Sequence, residues 1–200
     1  MKTGKTVKVL LTAATAAGML AGCGSKTDTD TFRFASELDI QGMDSTVVDD
    51  GMSFNAIHAI TDGLTAVNEK GKTAPAIAKS WDVSDDGKTY TFHLRDAKWT
   101  NGDKVTANDF VYSWRKIIKD AGNYAYMLGN GGASVKNADA LMELGANATD
   151  EQMATLGVTA KDDKTLVVEL ENKVPYFTDL MAFPCYFPQN EKFVEKCGKN

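Results

Sequence analysis

The chain has 200 residues, a formal net charge of −5 at neutral pH and a hydrophobic content of 43%. This apolar content is enough for a packed core. The acidic charge argues against a protein that binds nucleic acid, because such proteins need basic surfaces. No nucleic-acid partner is therefore expected.

Residues 1–22 are predicted to be a secretory signal peptide. Three lysines and no acidic residue precede the short apolar run VLLTAATAAGMLAG at 9–22. A basic start followed by a short apolar run is typical of export signals, and this run is too short to span a bilayer comfortably. A buried core helix is the alternative, and the lysines argue against it. Removal of the signal peptide would take the net charge from −5 to −8, because three lysines leave with it.

The sequence LAGC at 20–23 resembles the bacterial lipobox, in which the cysteine becomes the new N-terminus and carries lipid. Cys23 is therefore the predicted lipidation site, and a chance cysteine in an ordinary signal peptide is the alternative. Acyl chains contribute about 0.8 kcal/mol of membrane affinity per buried CH2. Residues 23–31 would form a lipidated polar tether. We expect an exported protein anchored to the outer face of the bacterial cell membrane.

The first half of the chain predicts a strand, a helix and a hairpin. Alternating polarity in TFRFASE favours a strand at 31–37, and a helix is expected within 49–64, beginning near Ser53. Three apolar residues at helical spacing within it are expected to face the core: Ile57, Ile60 and Leu64. Asp86-Gly87 is a strong turn signal within a hairpin at 80–95. One strand face of this hairpin is apolar: Tyr90, Phe92 and Leu94.

The second half predicts one long helix and another hairpin. Residues 106–120 form the clearest helix, with Thr106 and Asp109 spaced as a capping box. Its apolar stripe comprises Phe110, Trp114, Ile117 and Ile118. The later predicted elements are an aromatic-bearing loop at 121–136, short helices at 137–144 and 149–156, a hairpin at 158–170 and a short final helix. The interspersed strands and helices indicate a mixed α/β or α+β fold.

The residues that usually carry chemistry are sparse. Neither His58 nor His93 has a partner at metal-ligand spacing, and no nucleophile, P-loop or zinc-protease motif occurs. We therefore expect no enzymatic activity, no cofactor and no metal. Cys185 and Cys197 could form a disulfide in an exported protein, or they could be two unrelated thiols.

The sequence resembles a known family from about residue 31 onward. The segments that carry the resemblance are YTFHLR (90–95), AKWTNGDKVTANDF (97–110), VYSWRK (111–116) and DDKTLVVEL (162–170). They are similar to the family 5 extracellular solute-binding proteins, the oligopeptide and dipeptide receptors of ABC importers. The segments DFVYSWRK and VPYF look most like the oligopeptide branch.

The resemblance implies a periplasmic-binding-protein-like type II fold, in which two lobes close on a ligand without chemistry. Family members are more than twice this length, so the sequence is expected to be an N-terminal fragment that holds part of the first lobe. Residues 32–64 and 175–200 would then belong to its main subdomain. Residues 65–174 would form the extra subdomain typical of peptide binders.

The resemblance implies capture of extracellular oligopeptides and their delivery to ABC permease and ATPase subunits. A non-peptide ligand (nickel, haem or a sugar) and a peptide-signal sensor are alternatives. A secreted hydrolase is a third class, and no nucleophile–base pair supports it. The resemblance implies three ligand contacts: Asp49, Gly51 and Tyr124. The alternatives are that Asp49 is only a solvated loop acid and that Tyr124 packs in the core. Asp49 is shorter than the acid that the family places there, so its reach to a ligand differs.

Overall fold

The computed structural model describes residues 35–197, and the residues from Leu38 onward form one compact unit. The predicted signal peptide, Cys23 and the tether therefore lie outside the described residues. So do residues 31–34 of the predicted first strand, while residues 35–37 are not part of a strand. None of the helices among residues 35–197 is long and apolar enough to cross a membrane.

The first helix, α1 (Gly51–Ile60), begins before the predicted start near Ser53. Asp50 caps it, because its carboxylate accepts the Ser53 backbone N–H at 2.8 Å. Ile57 is buried as predicted, but the prediction for Ile60 is wrong, since its side chain is 71% exposed. Ile60 is the last residue of the helix, so no further turn continues the buried stripe, and its side chain lines an open cleft.

Both predicted hairpins are present and join in one antiparallel sheet. A separate two-stranded ribbon, β1 (Thr65–Val67) with β2 (Thr73–Pro75), precedes them. The hairpin strands are β3 (Ala78–Val83), β4 (Thr89–Leu94), β5 (Val158–Asp162) and β6 (Thr165–Glu169). Their order in the sheet is β3-β4-β6-β5, so the central pair joins residues more than seventy positions apart. Gly87 turns the first hairpin with φ +70°, a conformation that suits glycine.

The long helix α2 (Ala107–Lys119) buries its predicted apolar stripe in the main core. The Thr106 backbone N–H donates to the Asp109 carboxylate at 2.7 Å, which begins the helix as the capping pattern predicted. The buried face of the sheet lies in the same core and includes Tyr90, Phe92, Leu94, Leu166 and Val168. These positions alternate along their strands, and for Tyr90, Phe92 and Leu94 the period-two pattern correctly predicted burial.

Short helices complete the described chain: α3 (Ala138–Leu144), α4 (Asp150–Met153), α5 (Phe177–Leu180) and α6 (Glu191–Cys197). Three 3-10 turns are also present among the described residues, at Ala125–Met127, Gly145–Asn147 and Pro184–Tyr186. The last of them is joined to α2, because the Trp114 indole N–H donates to the Tyr186 carbonyl at 3.0 Å. Cys185 and Cys197 are free thiols in this structure: the first is buried in the core and the second is exposed on α6. The fold is thus a mixed α/β arrangement, and the subdomain boundaries stay a prediction.

Candidate functional site

Three aromatic rings from distant segments meet beside the start of α1. Phe54 on α1, Tyr124 and Phe183 lie with all three pairs of ring centroids between 5.1 and 5.3 Å apart. Tyr126 extends the cluster outward, since its ring stacks on Tyr124 at 5.9 Å with an interplanar angle of 28°. Phe54 is buried, whereas Tyr126 is 52% exposed. The cluster therefore runs from the core to the surface.

Asp49 lies at the edge of this cluster. Its carboxylate is exposed and accepts a hydrogen bond from the Asn123 side-chain amide at 2.7 Å. Asn123 directly precedes Tyr124, so this bond fastens the segment before α1 to the loop that carries the aromatic rings. The structure thereby brings Asp49 close to Tyr124, although they are far apart in sequence.

The backbone next to Asp49 is accessible at Gly51. It is exposed, and a Cβ atom built on it would meet nothing within 4 Å. The neighbouring Asp50 is committed to capping α1, and its hydrogen bonds from the Ser53 hydroxyl and backbone hold the pKa of that carboxyl below its ordinary value. Asp49 is therefore the acid of this pair that remains accessible. We call the surface formed by Asp49, Gly51, Phe54, Tyr124 and Tyr126 the acidic–aromatic wall.

Lys116 on α2 holds the segment that leads into the acidic–aromatic wall. Its ammonium group, whose side chain is only 13% exposed, donates to the Asp44 carboxylate at 2.7 Å and to the Thr46 hydroxyl at 2.6 Å. The Gln189 side-chain amide donates to the other Asp44 oxygen at 2.6 Å. Residues 44–46 are thus attached to α2 and to the segment after the last 3-10 turn.

The electrostatics of this attachment are self-consistent. Burial alone would raise the pKa of Asp44, but hydrogen bonds from Lys116, Thr46 and Gln189 outweigh it and leave that pKa lowered. Burial alone would lower the pKa of Lys116, but Asp44 and Asp120 outweigh it and leave that pKa raised. Both groups are therefore charged at neutral pH, as an attachment by an ion pair requires.

Gly122 lets the two segments approach closely. A Cβ atom at this position would lie 2.0 Å from the Thr46 carbonyl oxygen and 2.9 Å from the Ile117 side chain. Only a residue without a side chain allows this approach. The contact lies one residue before Asn123, so it fixes where the aromatic loop begins relative to the segment that carries Asp49.

Comparison with known protein families shows which family the chain belongs to. Residues 72–199 match the family model described as "Bacterial extracellular solute-binding proteins, family 5 Middle". The chain belongs to the family 5 extracellular solute-binding proteins. Its central hairpins and α2 lie within the matched residues, and α1 with Asp49 precedes them.

Individual family 5 members are similar over most of this chain. The "Dipeptide-binding protein" of Lactococcus lactis is 39% identical and covers 100% of the chain and 35% of its own length. The structure titled "Crystal structure of oligopeptide ABC transporter from Bacillus anthracis str. Ames (substrate-binding domain)" is 41% identical, with a TM-score of 0.76, over 83% of this chain and 31% of that chain. The Haemophilus influenzae "OppA complex with RPPGFSPFR" is 38% identical, with a TM-score of 0.73, over 80% of this chain and 30% of that chain. The chain thus spans about a third of the length of these family 5 relatives.

The resemblance to family 5 selected part of the wall and missed the rest. It supplied Asp49, Gly51 and Tyr124, and no observation tests their contact with a ligand. It missed Phe54 and Tyr126, the two neighbours Asn123 and Phe183 that contact the wall, and the attachment at Lys116. The paired tyrosines of NYAYM could have indicated Tyr126, because an exposed patch of aromatic residues, unlike a single exposed one, often marks a binding surface. Nothing local in the sequence indicates Phe183, since its partners come from two other segments.

The wall is open rather than an enclosed pocket. Two shallow clefts of about 170 and 220 Å3 lie at the far end of α1, around Asp62 and the Ile60–Thr61 turn, and neither is lined by Asp49 or Tyr124. Among residues 35–197 no group of three His, Cys, Asp or Glu side chains is placed to hold a metal ion. The wall offers an anionic acceptor, exposed backbone and aromatic surface, which are features that bind a ligand. We therefore place the candidate site at the wall and not in the clefts.

Proposed function

We propose that the acidic–aromatic wall is one side of the ligand site of an oligopeptide receptor that serves an ABC importer. The observation that carries the proposal is the hydrogen bond between Asn123 and Asp49, because it places an accessible carboxylate beside an aromatic surface. A peptide presents N–H donors together with apolar side chains, so it matches both parts of the wall. The Haemophilus influenzae relative, whose title names a bound peptide, supports this ligand class.

Each predicted contact has a distinct role in the proposal. Asp49 accepts a hydrogen bond from a peptide N–H or from the peptide's terminal ammonium group. Gly51 leaves room for an extended peptide to lie against the receptor backbone. Tyr124 offers flat apolar area and a polar hydroxyl tip. Because Asp49 is shorter than the acid that the family places at this position, the peptide must approach Asp49 closely or through a water molecule.

The remaining side of the site is proposed to come from a second lobe. The wall alone would bury a peptide from one side, and such burial is too small to offset the cost of ordering a flexible ligand. We therefore expect the 200-residue chain by itself to bind peptides only weakly. In this proposal residues 32–64 and 175–200 belong to the main subdomain of the first lobe, and residues 65–174 form its extra subdomain.

The receptor is proposed to be held at the membrane by lipid on Cys23. The family comprises extracellular solute-binding proteins, and the lipobox-like LAGC at 20–23 supports a lipid anchor on that side of the membrane. Separate permease and ATPase subunits would receive the peptide. A clickable fatty acid fed to the bacterial host should label the wild-type protein and leave Cys23→Ser unlabelled. Equal labelling of both would refute the anchor.

Calorimetry tests the ligand class. The native protein, at the length its host produces, is titrated with short peptides of mixed sequence. We expect Asp49→Ala to weaken peptide binding by about 1–3 kcal/mol, because a buried ligand donor loses its acceptor. Asp85→Ala is the matched control, since Asp85 is an exposed acid at the turn of the first hairpin. Unchanged affinity in both Asp49→Ala and Tyr124→Ala would place the ligand site elsewhere.

A further inference from the structure

Tyr126 is a surface aromatic whose exposure is built into the fold. Its neighbours on the 3-10 turn Ala125–Met127 anchor it, because Ala125 is buried and the Met127 carbonyl accepts a hydrogen bond from the Tyr186 hydroxyl at 2.5 Å. The following Leu128 is fully buried. A short turn fixed on both sides thus presents the Tyr126 ring to solvent.

The orientation of the ring is also fixed. One face stacks on Tyr124. Gly131 lies against the ring edge, since a Cβ atom there would be 3.1 Å from the Tyr126 Cδ2 atom. A ring held by a neighbouring aromatic and a close backbone loses little freedom when a ligand binds, so its contact with the ligand is not opposed by ordering.

We propose that Tyr126 determines side-chain specificity, and that it favours peptides with an aromatic side chain placed over the Tyr124–Tyr126 stack. This inference rests on the proposed function, because it assigns a substrate class to the same wall. In this proposal Asp49 fixes the peptide backbone at one end of the wall. The rings follow in the order Phe54, Tyr124, Tyr126, from the buried end of the wall to the exposed end. A side chain that leaves the backbone near Asp49 can therefore extend over the exposed ring, where offset or edge-to-face packing is favourable.

A peptide series tests this assignment in the native protein at the length its host produces. The probes are a tetra-alanine peptide and four variants with phenylalanine at one position each. We expect one phenylalanine variant to bind the wild type roughly three- to tenfold more tightly than tetra-alanine, the range typical of an aromatic pair. Tyr126→Ala should remove this preference, so that the phenylalanine variant and tetra-alanine then bind with affinities within about twofold of each other. Tyr126→Phe should retain it.

Phe193→Ala is the control, because Phe193 is similarly exposed, at 55%, but lies on α6; the preference should survive this change. The assignment is overturned if Tyr126→Ala keeps the phenylalanine preference, or if it weakens tetra-alanine equally. Wild-type protein that binds all five peptides alike also overturns it while the proposed function stands. Wild-type protein that binds none of the five peptides, nor peptides of mixed sequence, overturns both.

Discussion

Two regions of the molecule are stabilised by different forces: the sheet packed against α2, and the acidic–aromatic wall. In the first region, apolar side chains at regular spacing meet in one core, and Trp114 and Phe92 are fully buried there. In the second, the key contacts are polar or aromatic and join distant segments, as Asn123 joins Asp49 and Lys116 joins Asp44. The difference implies that the core sets the stability of the chain, while the wall sets the position of ligand-binding groups. Substitutions should separate the two.

The largest effect is expected in the core, from Trp114→Ala. This change removes a fully buried indole and its hydrogen bond to the Tyr186 carbonyl, and it should lower the free energy of unfolding by about 3–5 kcal/mol. Urea denaturation followed by far-UV circular dichroism measures it. Trp81→Ala is the control and should cost less, because Trp81 is only partly buried at the edge of the sheet. Equal costs would show that α2 is not the centre of the core.

A smaller effect is expected where the wall meets α2, from Gly122→Ala. The new Cβ would collide with the Thr46 carbonyl, and relieving the collision should cost about 1–3 kcal/mol of stability. Gly51→Ala is the matched glycine control, since its Cβ would enter open space and alanine favours the helix. It should leave the melting temperature unchanged or slightly raised. A Gly122→Ala protein as stable as wild type would contradict the close approach.

The Asp44–Lys116 pair should contribute about 1 kcal/mol to the free energy of unfolding, and this contribution should depend on pH. It is small because Asp44 is 40% exposed and water screens the pair. Since the pKa of Asp44 is lowered on folding, its stabilisation is present above its unfolded pKa and is lost as pH falls through the lower folded value. Asp44→Asn should therefore be less stable than wild type at pH 7, and the difference should disappear as the pH falls below the lowered pKa of Asp44. A difference that persists unchanged in acid would contradict the ion pair.

The smallest effect on stability is expected from Asp49→Ala. Asp49 is exposed, and its hydrogen bond to Asn123 lies at the surface, so the free energy of unfolding should change by less than about 0.5 kcal/mol. Thermal denaturation without ligand measures this. The same variant is expected to lose peptide affinity. It therefore separates the role of the wall in ligand binding from the role of the core in stability most clearly. A fall in stability comparable to that of Trp114→Ala would remove the distinction.

The elements that the sequence predicts well are those whose pattern is local. Tyr90, Phe92 and Leu94 alternate along β4, and the stripe of α2 repeats at helical spacing, so both buried faces could be predicted. The start of α1 was misplaced because Asp50 and Ser53 are both common capping residues, and only the observed hydrogen bond between them shows which one caps.

The wall could be predicted only in part, since its contacts are long-range. Asp49 and Tyr124 came from the family resemblance, which carries information about distant segments that periodicity does not contain. Phe183 and Lys116 were missed because their partners lie elsewhere in the chain. For Ile60 the local pattern itself was misleading. Its spacing is helical, so burial was predicted, but the helix ends at this residue.

The most direct test of the wall is photo-crosslinking in the native protein. A short peptide that carries a benzophenone side chain is bound and irradiated, and the attachment sites are mapped by mass spectrometry. We expect crosslinks within residues 49–54 and 123–126, suppressed by an excess of unlabelled peptide. Crosslinks confined to other surfaces, such as α6 or the turn of the first hairpin, would contradict this expectation.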